Sequence, residues 1–448
     1  MNPTRPIAPL QAAQGPSSPT GTKPSRRNFL RGSTAAVVGA AISSYAVPTV
    51  HAAGSDELRV GLIGCGGRGS GAAVNALHGD QYAKLVAMGD MFPDKLEASH
   101  KNLNGSDVGD RIQVADDHKF TGWDAYTGVI DKVDVVLLTT PPFFRPMHLK
   151  AAIEAGKHVF CEKPVATDAP GVRSVMETAK LAKEKNLNLV SGLCYRYDAP
   201  KMEIIKQIQG GAVGRIVAMQ TNYLTHGLWS NPRKPEWTDM EWQLRNWLYF
   251  TWLSADHIAE QHIHSLDKCM WAMGDEPPVK VFASGGRTVR TGPEFGNVYD
   301  HFNTTYEWAS GVKLFSGCRQ YPAPPNLVFS DVSDHVFGTE GSAHIQTHRI
   351  TDKDGKITWK RDAAPISMYD AEHVALFNAI RSGKPINNGD YMCKSTLMAI
   401  MGRMSAYTGK MITWDEALNS KEDLSPARLE FGPIEAPAIA VPGTTRFT

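Results

Sequence analysis

The sequence places one lysine where it could exchange a proton with a substrate. Lys163 follows the predicted strand 157–161 and lies between Glu162 and Pro164. A lysine fixed at a strand end can polarise or deprotonate a hydroxyl group while a hydride leaves the same carbon. A phosphate contact or a surface ion pair would use the same residue types, so these two alternatives stay open.

A second set of candidate acid/base groups occupies the segment 254–271. His257, Glu260, His264 and Asp267 are spaced at i, i+3, i+7 and i+10, which predicts one shared helix face. The spacing matches neither H-E-x-x-H nor its inverted form, and we expect no metal site here. A hydrogen-bonded structural face and a helix that offers acid/base groups to a substrate remain as the alternatives.

A glycine-rich turn near residue 60 predicts the element that positions these groups. Val60, Leu62 and Ile63 indicate a buried strand, and the glycines of a G-x-G-x-x-G pattern precede a predicted helix over 70–77. Such a strand, turn and helix can hold a pyrophosphate at the helix N-terminus. The next predicted strand, 84–90, ends in Asp90 about 20 residues further on, where a ribose-binding acid is expected. Met91 and Phe92 follow it instead of an arginine, which favours NAD over NADP.

Residues 56–190 alternate strand and helix patterns, which predicts a doubly wound parallel sheet in an NAD-binding domain. Strand ends of such a sheet meet at one ligand crevice. The turn after the buried strand 134–138, the helix from His148 and the strand 157–161 all lead to this edge. The expected cofactor-binding residues are Gly64, Gly66, Gly67, Arg68, Gly69, Asp90, Thr139, Pro141, His148, Glu162 and Lys163.

The second half of the chain predicts a different domain. Residues 279–358 are rich in strand patterns, helices are predicted over 372–382 and 393–408, and the segment 425–448 is rich in proline. We therefore expect a substrate-binding α/β domain over 191–424 and an extended tail. Five tryptophans in 225–252 suit either sugar stacking or core packing. The expected substrate-binding residues are Tyr195, Arg196, Arg245, Trp247, His257 and Asp267.

The N-terminal segment predicts export. Residues 1–52 hold five basic and no acidic residues, and Arg26-Arg27 precedes a mild apolar run, 35–47. This pattern is typical of a twin-arginine signal peptide, with an uncleaved membrane anchor as the alternative. Without this segment, 42 basic residues stand against 46 acidic ones, so we expect no nucleic-acid partner. The mature chain has no other candidate membrane span. The six cysteines lack paired spacing and predict buried free thiols.

The stretch Ala155–Pro164, behind the glycine-rich turn and a Thr-Pro-Pro strand end, resembles the Gfo/Idh/MocA oxidoreductases. The resemblance covers residues 58 to about 415. It implies a Rossmann domain followed by an α/β domain with a large, open, mostly antiparallel sheet, whose one face holds substrate and whose other face makes a homo-oligomer contact. It also implies that Lys163 and His264 are catalytic. Glu260 stands where the family commonly has aspartate, and the resemblance implies that it orients or charges one of these groups.

Three functions are compatible with these residues. The first is an oxidoreductase that takes hydride from a sugar hydroxyl and recycles a tightly bound cofactor, because free NAD is scarce outside the cytoplasm. The second is a redox-neutral glycoside hydrolase that oxidises, eliminates and reduces again. The third is a non-catalytic, NAD-bound sugar-binding protein, which the intact Lys163 and His264 disfavour.

Overall fold

The computed structural model describes residues 56–321 and 328–447. The predicted signal peptide over 1–52 lies outside the described residues. None of the helices within those ranges is long and apolar enough to cross a membrane.

Six parallel strands form the first sheet, as the alternating pattern predicts. Their order is β3-β2-β1-β4-β5-β6, which is the strand order of a Rossmann domain. The strands are β1 Leu58–Ile63, β2 Ala83–Asp90, β3 Lys119–Thr121, β4 Val135–Leu138, β5 His158–Cys161 and β6 Leu189–Ser191. The helices between them are α1 Gly67–Gly79, α2 Pro93–Asn104, α3 Ala125–Lys132, α4 Arg145–Glu154 and α5 Ala169–Glu184.

The central strands of this sheet are apolar on both faces because helices cover both. All four residues of β4 are completely buried, and so are most residues of β1. Helix α1 begins at Gly67, three residues before the predicted start. The glycine turn therefore continues directly into the first helical turn.

The second sheet has nine strands in the order β14-β13-β12-β11-β7-β10-β9-β8-β15. Only the neighbours β7 and β10 run parallel, so the prediction of a mostly antiparallel sheet is confirmed. The strands are β7 Ile216–His226, β8 Lys280–Gly286, β9 His301–Glu307, β10 Lys313–Tyr321, β11 Asp331–Gly338, β12 Gly341–His344, β13 Arg349–Asp352, β14 Ile357–Lys360 and β15 Ile412–Thr413.

Helices cover one face of the second sheet and join it to the first. They are α6 Ala199–Gln209, α7 Asp239–Arg245, α8 Thr251–Ser254, α9 His257–Glu260, α10 Ile263–Ala272, α11 Met368–Ser382, α12 Gly389–Thr408 and α13 Trp414–Asn419. Helix α11 packs on α1, and α12 packs on α5. The last two long helices thus return to the first domain, as the resemblance implied. All six cysteines are buried and free, which confirms that prediction.

Candidate active site

A cavity of about 560 Å³ lies at the carboxyl ends of β1, β2 and β4. Chain reversals after parallel strands create such a crevice, and it is the usual ligand site of this sheet type. Its lining includes the predicted residues Gly64, Gly66, Gly67, Arg68, Gly69, Asp90, Thr139, Pro141 and His148. The spacing of the glycines and of the acid after β2 was sufficient to locate this cavity.

The glycines of the turn serve two different purposes. A Cβ atom on Gly66 or Gly67 would meet no atom within 4 Å, so these two residues leave free space beside the first amides of α1. A Cβ atom on Gly69 would lie 1.9 Å from the carbonyl oxygen of Gly64, so this glycine permits helix and strand to pack. Gly64 has a φ of +100°, which favours glycine. The open cradle at a helix N-terminus suits a pyrophosphate.

Asp90 is held in place by backbone amides at the end of β2. The N–H groups of Cys65 and Phe92 donate to its two carboxylate oxygens over 2.6 and 2.9 Å. Burial raises the pKa of Asp90, although these hydrogen bonds oppose the shift. Each oxygen retains a lone pair that a ribose hydroxyl could use.

The far wall of the cavity consists of β4's end and α4. The Thr139 hydroxyl donates to the carbonyls of Ile63 and Gly64, which fixes the glycine turn against β4. The His148 ring stacks on Tyr126, with ring centroids 4.4 Å apart. Burial, together with the charge of Arg145, lowers the pKa of His148 to about 3, so the His148 ring is uncharged at neutral pH.

Lys163 meets Glu260 at the carboxyl end of β5. The Lys163 ammonium donates to the Glu260 carboxylate over 3.0 Å and also to the Glu260 backbone carbonyl. Each of the two side chains is 14% exposed, so the pair is shielded but reachable. The sequence motif and the helical segment, 97 residues apart, therefore contribute one acid/base pair.

A buried carboxylate connects this pair to the glycine turn. Glu162 accepts hydrogen bonds from the Arg68 guanidinium and from the backbone N–H of Lys163. Burial favours its neutral form, but the charges of Arg68, Lys163 and Arg145 outweigh this and lower the pKa of Glu162. Gly192 makes room for it, since a Cβ there would lie 2.7 Å from the carboxylate. Glu162 and Arg68 thus position each other. Arg68 also lines the cavity as expected, whereas Glu162 and Lys163, which were expected to bind the cofactor, are not among its lining residues.

His264 lies close to the Lys163–Glu260 pair in a half-buried position. Burial and then the charges of Lys163, Lys268 and Arg68 lower its pKa well below the ordinary value, so the ring is neutral at pH 7. Its ring packs edge-on against Tyr195 at 5.3 Å between centroids. The buried Nδ1 atom has no hydrogen-bond partner among the described residues. A neutral imidazole with a free nitrogen can accept a proton.

Comparison with known protein families agrees with this geometry. Residues 58–192 match the model of an oxidoreductase family with an NAD-binding Rossmann fold, and residues 202–344 match the GFO/IDH/MocA C-terminal domain. The chain belongs to the Gfo/Idh/MocA family. The cavity beside the glycine turn is accordingly its NAD site, and the open glycine cradle and Asp90 fit that cofactor.

Several known proteins are similar to this chain. Inositol 2-dehydrogenase 3 of Saccharopolyspora erythraea is 30% identical over 292 residues, which cover 64% of this chain and 73% of that protein. A glycosyl hydrolase family 109 protein of Shewanella amazonensis is 29% identical over 221 residues, covering 46% of this chain and 47% of that one. The crystal structure of aldose-aldose oxidoreductase from Caulobacter crescentus complexed with glycerol has 21% identity and a TM-score of 0.61, covering 80% of this chain and 99% of that one.

The helical segment of the second domain differs from the prediction of one continuous face. It breaks at Gln261–His262 into α9 and α10. His257 therefore points into the core, where it bonds to Asp256 and contacts the Phe302 ring. Its expected role in substrate binding is corrected on this ground, since the ring is only 4% exposed.

Asp267 and Arg196 also have structural partners. Asp267 is almost completely buried and accepts hydrogen bonds from the Arg196 guanidinium and the Ser395 hydroxyl. Arg196 additionally bonds to Asp275 over 2.6 Å. The prediction that Asp267 and Arg196 contact substrate is corrected, because this ion-pair network uses their polar atoms.

Arg245 and Trp247 lie at the NAD cavity, and not at the acid/base pair as expected for substrate ligands. Both line that cavity, and Arg245 forms ion pairs with Asp94 and Glu241. Of the five tryptophans, Trp252 packs in the core and Trp229 lines the cavity. Their grouping in sequence gave no means of separating these positions.

Two tyrosines beside the acid/base pair were missed in the sequence. Burial raises the pKa of Tyr223, and its neighbours Tyr195, Glu260 and Tyr369 add to the shift. Tyr223 belongs to β7 and Tyr369 to the start of α11. No local pattern marks these residues, because only the packing of the second sheet and α11 brings them to this site.

Proposed function

We propose that this protein oxidises a hydroxyl group of a sugar or glycoside and passes the hydride to NAD. The Lys163–Glu260 pair carries the proposal. It is a shielded acid/base pair at the carboxyl end of β5, the sheet edge at which the ends of β1, β2 and β4 line the NAD cavity, and activation of a hydroxyl is the chemistry it suits.

Each residue of the site has its own role in this reaction. NAD, when bound, supplies the hydride acceptor. The Lys163 ammonium polarises the substrate hydroxyl by donating a hydrogen bond to its oxygen, and the hydroxyl proton passes to a neutral base as the carbon loses hydride, so a carbonyl forms and charge balances. Glu260 orients the ammonium through both its carboxylate and its carbonyl. Neutral His264 accepts or relays the proton.

A polyhydroxylated substrate is favoured by the surroundings of this pair. Tyr223 lies near Glu260, and Tyr195 and Tyr369 lie near Tyr223, so three phenol groups with their aromatic faces are grouped here. Sugars bind through such faces and hydroxyl partners. The names of the relatives, an inositol dehydrogenase and an aldose-aldose oxidoreductase, support the same substrate class.

We further propose export through the twin-arginine route to the periplasm or another extracytoplasmic space, with NAD retained and regenerated inside the protein. Arg26-Arg27 and the apolar run that follows support this. Retention would allow a second carbonyl substrate to take the hydride back.

A redox-neutral glycosidase is the second candidate, and the similarity to a glycosyl hydrolase family 109 protein favours it. Oxidation at C3 of a glycoside would acidify the C2 proton and allow the aglycone to leave. Water would then add at C1 as a proton returns to C2, and the stored hydride would reduce C3 again. The same lysine and histidine would move the protons.

One experiment separates these functions. The purified protein is mixed with free sugars and with nitrophenyl glycosides while the absorbance of bound cofactor is recorded. A cofactor that becomes reduced and stays reduced until a carbonyl acceptor arrives supports the oxidoreductase. Aglycone release without net reduction supports the glycosidase. Sugar binding with neither reaction would contradict both and leave a sugar-binding protein.

A homo-oligomer formed through the open face of the second sheet is also part of the proposal. Phe282, Phe315 and Phe337 are 49%, 52% and 39% exposed there. Contiguous exposed aromatic residues are typical of subunit contacts.

A further inference from the structure

The NAD cavity has an outer wall that the Rossmann domain does not provide. Trp229, Asn231, Leu244, Arg245 and Trp247 come from the segment between β7 and α8, yet all five line the cavity. Trp229 and Trp247 also contact each other, with ring centroids 6.4 Å apart. The second domain thus reaches across to the adenosine end of the crevice, beyond Asp90.

The C-terminal tail adds a further layer at the same place. The Phe431 ring lies 5.6 Å from Trp123 and 6.2 Å from Phe92 between centroids. Trp123 and Phe92 both line the cavity. The tail residue Phe431 therefore packs on the outer side of two rings whose other atoms face the cofactor space.

Hydrogen bonds hold the tail against the second domain. The carbonyl of Gly432 accepts from the backbone N–H of Met240 over 3.1 Å. The carbonyl of Ile434 accepts from the Gln243 side chain over 3.4 Å. Both partners belong to α7, the helix that also carries Arg245. The tail and the wall of the cavity are consequently one connected layer.

Arg245 connects this layer to the first domain. Its guanidinium lies 3.8 Å from the centroid of the Phe92 ring and forms ion pairs with Asp94 and Glu241. Asp94 stands at the start of α2, which follows the ribose-binding strand end. The contact joins the two domains at the edge of the cavity.

We infer that Trp229, Arg245, Trp247 and Phe431 form a roof over the adenosine half of NAD and that this roof makes NAD a retained group. This inference deepens the proposed function, since internal recycling requires a cofactor that stays bound through many turnovers. A wall formed by distant segments must separate before NAD can leave, and that separation slows dissociation.

Replacing Phe431 tests the roof on the NAD-loaded full-length protein. We expect Phe431→Ala to release NAD about tenfold faster, because two aromatic pairs are lost. Release is measured by dilution into an NAD-consuming scavenger enzyme, and no sugar is needed. Ile439→Ala is the matched control, because Ile439 lies in the same tail and is 49% exposed against 45% for Phe431. The Ile439→Ala variant should release NAD at the parent rate. Phe431→Trp, which keeps an aromatic ring at this position, should also retain NAD as the parent protein does.

A second variant distinguishes loss of the roof from misfolding of the Phe431→Ala protein. Trp229 is 47% exposed, so Trp229→Ala should fold and also speed NAD release. Parent-like release from both alanine variants would overturn the roof, and so would exchange of NAD by the parent protein within seconds. Slow release without any sugar reaction would contradict the proposed function alone, whereas fast release with sugar oxidation would contradict the roof alone.

Discussion

At the scale of single residues, the account depends on Lys163. We expect Lys163→Met to retain bound NAD and to lower turnover by about 10²–10⁴-fold, because the group that polarises the substrate hydroxyl is lost while the cavity is unchanged. Steady-state kinetics and the absorbance of co-purified cofactor measure the two effects. Lys180→Met is the matched control, since Lys180 also pairs with a glutamate but lies on the surface. Equal losses in the two variants would contradict the assignment.

The sequence identified some of these residues and misplaced others for definite reasons. Lys163 follows a strand end and Glu260 belongs to a helical pattern, and the structure brings the two together in one ion pair. Their catalytic roles were implied by the family resemblance and stay a prediction. The ion pair between Arg196 and Asp267 spans 71 residues and depends on packing that no local pattern encodes. Tyr223 and Tyr369 were missed because each comes from a distant element.

At the scale of elements, the glycine turn and α1 have separable functions. Gly66 has a φ of −75° and open space beside it, so Gly66→Ala should fold normally and bind NAD at least about tenfold more weakly, since the methyl group occupies the pyrophosphate space. NAD titration and thermal unfolding measure this. Unchanged NAD affinity in the folded variant would contradict the cradle.

Gly69→Ala provides the contrast within the same turn. Its methyl group would meet the Gly64 carbonyl at 1.9 Å, so we expect a clear fall in Tm even without NAD. A Tm equal to that of the parent protein would mean that helix and strand do not need this close approach.

Alternating patterns predicted the strands and helices of the first domain well, whereas the breaks before and after α9 could not be predicted. Ala255 and Asp256, just before α9, have φ values of +61° and +70°. Non-glycine residues rarely adopt this conformation, and their identities give no warning of it. The prediction that His257 and His264 share one helix face was therefore wrong, although most of the segment is helical as expected.

At the scale of the whole molecule, buried histidines make stability depend on pH. Burial lowers the pKa of His148 and of His262 to about 3, and that of His373 to about 4. Below about pH 6.5 the unfolded chain binds protons that the folded protein excludes, so stability falls as pH falls from 6.5 toward 4. Each such histidine lowers the free energy of unfolding by up to about 1.4 kcal/mol for each pH unit of acidification in this range.

Urea unfolding at pH 7 and pH 5 measures this dependence. We expect a lower free energy of unfolding at pH 5, although buried Glu372, whose pKa is raised by burial and by Glu162, acts in the opposite direction. His148→Phe removes one titrating group and should reduce the difference between the two pH values. A free energy of unfolding that rises on acidification would contradict the prediction.

The open face of the second sheet gives the other prediction at this scale. Phe315→Asp places a charge in the proposed subunit contact, and we expect a smaller species in size-exclusion chromatography with light scattering. Met202→Asp, at a similarly exposed residue of α6, is the control and should leave the assembly state unchanged. A monomeric parent protein would contradict the proposed homo-oligomer.

Hydride transfer from substrate carbon to bound NAD tests the central claim most directly. The NAD-loaded protein is incubated with sugars and glycosides carrying deuterium on carbon, and the mass of the released cofactor is determined. We predict that deuterium reaches the cofactor in the parent protein and that Lys163→Met strongly reduces the transfer. A cofactor that stays free of deuterium while a sugar binds beside Lys163 would contradict the account.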